Sequence, residues 1–307
     1  MFLTDKGMIN IKNGTISYLR ERLYELNEKN NDRIEKRMSK IGINKISLSK
    51  ESLIFGIMLV NLLDHQNNIM KNKTLHIAWK LMNKIGDIAS SIESYTDEEH
   101  VFLAFSTIKQ AKNMNETQIK KVSKTLSIIA KWIINSNVED LIDFSWNLVN
   151  TIKDDINQYT DLEYNEKKQI INNIISNGKP KNQKDALNIL RQALSTLPSC
   201  DSEFADMTIW QITMVYGLWE NVHNEIRIPI TNSLLRPLTE LGFITQEDAK
   251  IQDKEKISTI VKKISDKLFP ENPKILSALE LVGKYWCRDK VKYCSSCPLY
   301  IVCPRLV

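Results

Sequence analysis

The sequence predicts an all-α protein. Apolar residues recur at three- and four-residue spacing over long runs, alternating strand patterns are few, and only nine Gly and eight Pro punctuate 307 residues. Along the chain, residues 1 to 46 are polar and charged: Tyr18-Leu19, Leu23 and Leu26 mark one amphipathic helix and Glu28 to Lys40 a solvated stretch, so this region reads as a flank rather than a core. The next element runs from Ser52 to Val60 and on through Leu62 and Leu63. Its apolarity on nearly every side predicts a buried helix, with Ser47 or Ser49 as its cap.

Between about 95 and 177 the spacing predicts several amphipathic helices, including Glu116 to Asn135 and Val138 to Tyr159. Asn177-Gly178-Lys179-Pro180-Lys181-Asn182 reads as a surface loop. From Lys184 a helix leads to a turn at Leu197-Pro198-Ser199-Cys200-Asp201, and a second apolar helix follows from Phe204 to Trp219, a helix, hairpin, helix arrangement. A polar loop, Ile228-Pro229-Ile230-Thr231 and another helix to Leu241 come next, with Gly242 as a C-cap. Trp132, Trp146, Trp210 and Trp219 sit at helical spacing among apolar residues and read as core.

Composition sets wider bounds. With 42% hydrophobic and 26% charged residues the chain is globular, of one or two domains. No stretch approaches the roughly 20 apolar residues of a membrane span, and the first residues lack the features of a secretory signal, so no membrane is expected and the cytoplasm is the expected location. Lys and Arg exceed Asp and Glu by 42 to 37, an excess compatible with a polyanionic partner that does not itself decide one. His65, His76, His100 and His223 have no ligand spacing.

Cysteine placement is more specific. Cys200 stands alone, whereas Cys287, Cys294, Cys297 and Cys303 crowd the C-terminal end with the spacing C-x6-C-x2-C-x5-C. In a reducing compartment such a cluster points to metal rather than disulfides. Four thiolates this close suit one 4Fe-4S cluster, which Tyr285, Trp286, Tyr293 and Tyr300 would shield. A structural zinc site is the competing reading, but it usually pairs two short knuckles and only one occurs here.

This spacing resembles the iron-sulfur loop of the endonuclease III and adenine-glycosylase branch of the helix-hairpin-helix DNA glycosylases. Leu279-Glu280-Leu281-Val282-Gly283-Lys284-Tyr285-Trp286-Cys287 is similar to the family's helix and aromatic before the first ligand, and Ile228 to Phe243 to its V-D-T-H-V-x-R…R-L-G segment, with Arg236 and Leu241-Gly242 matching. Leu62-Leu63-Asp64-His65-Gln66 looks like its L-S-x-Q motif, whose glutamine enters the DNA. The resemblance spans about residues 50 to 303 and is firm over the last 80 or so. It implies a two-lobed helix-hairpin-helix glycosylase fold with a 4Fe-4S cluster domain: a barrel lobe at 49–224, and a cluster lobe at 1–48 plus 225–307. It also implies duplex DNA as partner, entered by Gln66 and contacted along its backbone by Lys284, Arg288, Lys290 and Lys292, with Arg236 a further DNA-binding residue. For Gln66 a helix-end cap, and for the basic residues a merely solvated loop, are the competing readings.

The catalytic positions depart from the family. After Leu197-Pro198 the hairpin reads Ser199, Cys200, Asp201, Ser202, Glu203: both glycines are gone, and Glu203, or Met207 in a gapped alignment, stands at the lysine position, where neither can form a Schiff base. Thr231 stands at the family's aspartate. The expectation is therefore an iron-sulfur DNA-binding protein without the standard glycosylase or lyase catalysis, with a possible protein partner in a DNA-processing or defence assembly. Two alternatives stay open: an active base-excision glycosylase using Asp201, Glu203 or Asp206 as a relocated carboxylate, and a redox or scaffold protein that binds no DNA. The competing reading of those three carboxylates is acidic residues complementing a helix start.

Overall fold

A computed structural model describes every residue except 1, 5, 6, 10–12, 67–72, 112, 157–162, 252, 271–272, 289–290 and 305–307. Apart from a small antiparallel hairpin of β1 (Phe2–Thr4) and β2 (Gly7–Ile9), the described residues fold as helices and connecting turns. None of these helices is long and apolar enough to cross a membrane.

Helix α1 (Asn13–Ser39) corrects the expected polar flank. Leu19, Leu23, Leu26 and Asn30 follow one another at steps of four, three and four and are all buried, so the stripe continues through a polar residue, and Met38 is buried further on. The charges between Glu28 and Lys40 occupy the other faces of one uninterrupted helix.

The chain divides into two compact units, one made of Met1–Ile34 with Arg227–Val307, the other of Glu35–Ile226. The second cut lies beside the expected boundary at 224. The first falls inside α1, between Ile34 and Glu35.

The Glu35–Ile226 unit is built on α2 (Lys50–His65), the predicted buried helix: Ser52 through Leu63 are all buried, and Ser49 caps it by accepting the Ser52 N–H. Gly56 lets the Ile43 and Ile88 side chains close on the helix, since a Cβ there would stand 2.9 Å from each. Helices α3 (Thr74–Ile85), α4 (Glu98–Ser106), α5 (Glu116–Ile134), α6 (Leu141–Ile156) and α7 (Glu163–Asn177) follow. An Asn115–Gln118 capping box starts α5. Trp132 is fully buried, donating to the Phe144 carbonyl at 2.8 Å, and Trp210 is buried as expected; Trp146 and Trp219 are half-buried.

Helices α8 (Gln183–Thr196) and α9 (Ser202–Trp210) form the predicted hairpin pair. Sequence periodicity runs α9 on to Trp219, but the helix passes into a π turn at Gln211–Val215, where Tyr216 N–H donates to Gln211 O. One extra residue per turn at this point leaves the apolar pattern looking continuous.

In the other unit, α10 (Asn232–Glu240) begins at Thr231, whose hydroxyl accepts the Leu234 N–H. It ends at Gly242, with φ of 75° and Phe243 N–H on Leu238 O, the C-cap expected there. Helices α11 (Lys254–Leu268) and α12 (Leu279–Tyr285) complete it, and Arg20 of α1 donates to the Leu268 carbonyl at 2.8 Å.

Candidate cluster site and degenerate hairpin

The four C-terminal cysteines line one cavity of about 200 Å³. Its floor is apolar, formed by Pro237 and Leu241 from the α10 end, Val282 from α12, and Leu299; Glu240 and Lys292 stand on its wall, paired at 2.7 Å. Local backbone geometry brings the thiols together. Trp286 and Cys287 N–H groups both donate to Val282 O at 2.9 Å, so Cys287 is fixed where α12 stops. The chain then returns antiparallel, pairing Lys292 with Cys287 and donating Tyr293 N–H to Trp286 O at 2.8 Å. Successive tight turns follow, with Cys297 N–H on Cys294 O, Tyr300 N–H on Cys297 O and Cys303 N–H on Leu299 O, all at 3.0 Å.

As free thiols, Cys287 and Cys297 resist ionisation. Burial pushes Cys287 up to about 11, helped by the Glu240 charge and opposed by Lys292 and Arg236. Burial also raises Cys297, with the charges of Cys303 and Cys294 adding to it. Among the described residues no three His, Cys, Asp or Glu side chains converge closely enough to hold a single metal ion. A zinc ion would need its sulfurs crowded within about 2.3 Å of one point. Four cysteines beside an apolar floor are a donor set that suits a polynuclear group taking one thiolate at each of four corners.

The aromatic shield expected of four residues is only partly present. Trp286 and Tyr300 line the cavity, whereas Tyr285 and Tyr293 are 43% and 46% exposed and face solvent. Residue type does not report which side of a loop a ring occupies.

The residues assigned to DNA by resemblance are dispersed in their bonding. Arg236 donates to the Cys287 carbonyl at 2.9 Å and so braces the cysteine loop. Lys284 is exposed and paired with Glu280, Lys292 is exposed and paired with Glu240, and Arg288 lies over the Tyr293 ring at 5.5 Å. Lys290 lies outside the described residues. Gln66 is buried at the end of α2, its amide donating to Leu62 O at 3.1 Å, the geometry of a helix-end cap.

In the hairpin turn Ser199 has a positive φ of 57°, a conformation more usual for glycine. Two contacts hold the turn from outside: Thr125 Oγ1 donates to Pro198 O at 2.5 Å and Lys167 Nζ to Leu197 O at 2.9 Å. The amides that open α9 already have an anion. Asp201 Oδ1 accepts from Glu203 N–H at 2.8 Å and Phe204 N–H at 3.1 Å, and His65 Nε2 approaches the same oxygen at 3.4 Å. A helix start capped this way offers phosphate neither those donors nor a favourable charge.

The other candidate carboxylates are placed as follows. Asp206 is ion-paired with Arg191 at 2.6 Å, both side chains being largely buried. Glu203 is half-buried in the first turn of α9. Thr231 is the α10 N-cap. Two further features escaped sequence reading: the Glu240 carboxylate on the cavity wall, which no spacing motif marks, and the π turn after α9. No protein-family model, curated protein or solved structure matches this chain.

Proposed function

We propose that this chain is an iron-sulfur DNA-binding protein related to the endonuclease III family, with a two-lobed helix-hairpin-helix fold. Cys287, Cys294, Cys297 and Cys303 hold its 4Fe-4S cluster, and it lacks that family's standard glycosylase and lyase catalysis. The observation that carries this reading is that all four cysteines line one apolar-floored cavity, reached through a helix end and a series of tight turns. When bound, such a cluster crosslinks the loop and provides a one-electron couple. The chain's own residues fix the loop's path: Val282 O holds Cys287, and Arg236 braces its carbonyl. Loss of catalysis is supported by the hairpin, where Asp201 occupies the amides that would meet phosphate and no lysine stands in the first turn. A cytoplasmic location suits five cysteines that form no disulfide. A protein partner in a DNA-processing or defence assembly fits a chain that binds DNA without altering it.

The test is anaerobic purification with iron and sulfide analysis. The protein is expected brown, with iron and labile sulfide in equal amounts; a Cys→Ser change at any of the four positions removes the colour, and Cys200→Ser does not. Colourless protein holding zinc sinks the proposal. Duplex affinity should fall steeply with salt, as phosphate contacts require, and its absence would favour the redox or scaffold alternative. Single-turnover assays on uracil, oxidised and mismatched duplexes should show no base release. Release abolished by Glu203→Gln would restore an active glycosylase with a relocated carboxylate.

A further inference from the structure

The surface of the cysteine loop carries an arrangement that backbone contact with duplex DNA does not require. Tyr285 and Tyr293 are both nearly half exposed, at 43% and 46%. A guanidinium lies over each: Arg33 at 5.9 Å from the Tyr285 ring, Arg288 at 5.5 Å from the Tyr293 ring. Among the described residues neither cation is paired with a carboxylate. Arg33 donates to Tyr285 Oη at 3.3 Å and Asn30 Oδ1 at 3.4 Å, and Arg288 donates to Lys284 O at 3.1 Å. The two rings are kept in order by the backbone. Tyr293 is hydrogen-bonded opposite Trp286, and the Tyr285 ring meets the Trp286 ring edge-on at 5.8 Å.

Exposed aromatic faces flanked by guanidinium groups are costly to leave in water, and each presents a flat π surface with positive charge at hand. A duplex has no free base face to offer such a surface. Unpaired bases do, and stacking on aromatic side chains with phosphate neutralised by nearby Arg is how single strands are held without sequence preference. We infer that the exposed rings of Tyr285 and Tyr293, each with its guanidinium, are each a stacking platform for an unpaired base of single-stranded DNA. This inference rests on the DNA-binding reading above and names the form of DNA that the loop takes.

The experiment is fluorescence anisotropy of the holoprotein with three labelled ligands of equal length: a thymidine strand, a strand with abasic sugars in place of the nucleosides, and a duplex. The thymidine strand is expected to bind at least about tenfold tighter than the abasic one, since stacking is worth roughly 1–3 kcal/mol per base. Tyr293→Leu should lower thymidine-strand affinity about tenfold and leave abasic-strand affinity unchanged, while Tyr293→Phe, which keeps the ring, retains wild-type affinity. Equal binding of the two strands, or a Leu variant that binds like wild type, overturns the platform. So does a Phe variant that fails with the Leu variant, because the hydroxyl and not the face would then be the contact. Salt-dependent duplex binding that persists in any of those cases leaves the DNA-binding reading standing and removes only this inference. Absence of binding to all three ligands removes both.

Discussion

Gly283 of α12 packs directly on the Ser233 carbonyl of α10: a Cβ at position 283 would lie 1.8 Å from that oxygen. The reason for the approach is Pro237. Ser233 O is the acceptor that the N–H of residue 237 would take in a regular helix, and proline has none to give. The two helices that frame the cysteine cavity therefore meet backbone to backbone. Gly283→Ala cannot be absorbed by a side-chain shift, because the obstructing atom is main chain. It is expected to destabilise the protein by about 3 kcal/mol or more, read as a lowered denaturant midpoint, and to reduce iron retained on purification.

Lys124 of α5 is held between Asp155 at 2.6 Å and Glu98 at 3.2 Å, with side chains of Lys124 and Asp155 only 15% and 12% exposed. Burial alone would lower its pKa, but the hydrogen bonds and charges of Asp155 and Glu98 outweigh it and raise it above 10.5. A raised lysine contributes stability that is complete below 10.5 and lost as pH climbs through the folded-state value. Lys124→Met leaves Asp155 buried with no cation, and a cost of about 3 kcal/mol is expected at neutral pH. Urea denaturation across the alkaline window should show wild type and variant converging as pH rises past 10.5.

Asp201 joins two effects that substitution can separate. Asp201→Asn retains a capping oxygen for the Glu203 and Phe204 amides, so stability should change by only a few tenths of a kcal/mol, whereas Asp201→Ala should cost about 1 kcal/mol. The Asn variant also removes the negative charge from the hairpin. Duplex affinity at low salt is expected to rise about threefold, with the gain fading as salt screens it. An unchanged affinity would mean that the hairpin does not face DNA.

The sequence made the helical class legible where apolar periodicity and a cap coincide, as at Ser49 and the buried run behind it, or at Gly242 after α10. It misled where a buried stripe includes a polar residue. Asn30 continues the Leu19, Leu23, Leu26 series, and the charges around it made a 27-residue helix look like a solvated flank. The π turn was equally hidden, since inserting one residue into a mostly apolar stretch changes no residue type. The grouping of the four cysteines around one cavity was legible from spacing because they lie close together in the sequence. Glu240 was not, because α10 brings it to the cavity from far along the chain. The orientation of Tyr285 and Tyr293 depends on the antiparallel return of the loop, which no periodicity encodes.

Arg236, assigned to DNA by resemblance, is bonded in the structure to the cysteine loop, and substitution can separate the two roles. Its Nη1 is spent on the Cys287 carbonyl, and it also lowers the Cys287 thiol's resistance to ionisation. Both effects favour the thiolate that a metal group requires. Arg236→Met is expected to cost about 1–2 kcal/mol through the lost charge-assisted hydrogen bond. More specifically, it should speed iron loss to a chelator severalfold, while duplex affinity per cluster-bearing molecule stays within about twofold of wild type, less than the loss of a phosphate contact would cause. Chelator kinetics followed by visible absorbance, alongside anisotropy on the same preparation, separates the two roles. Intact iron retention with a large fall in duplex affinity and a shallower salt dependence would place the guanidinium on a phosphate instead.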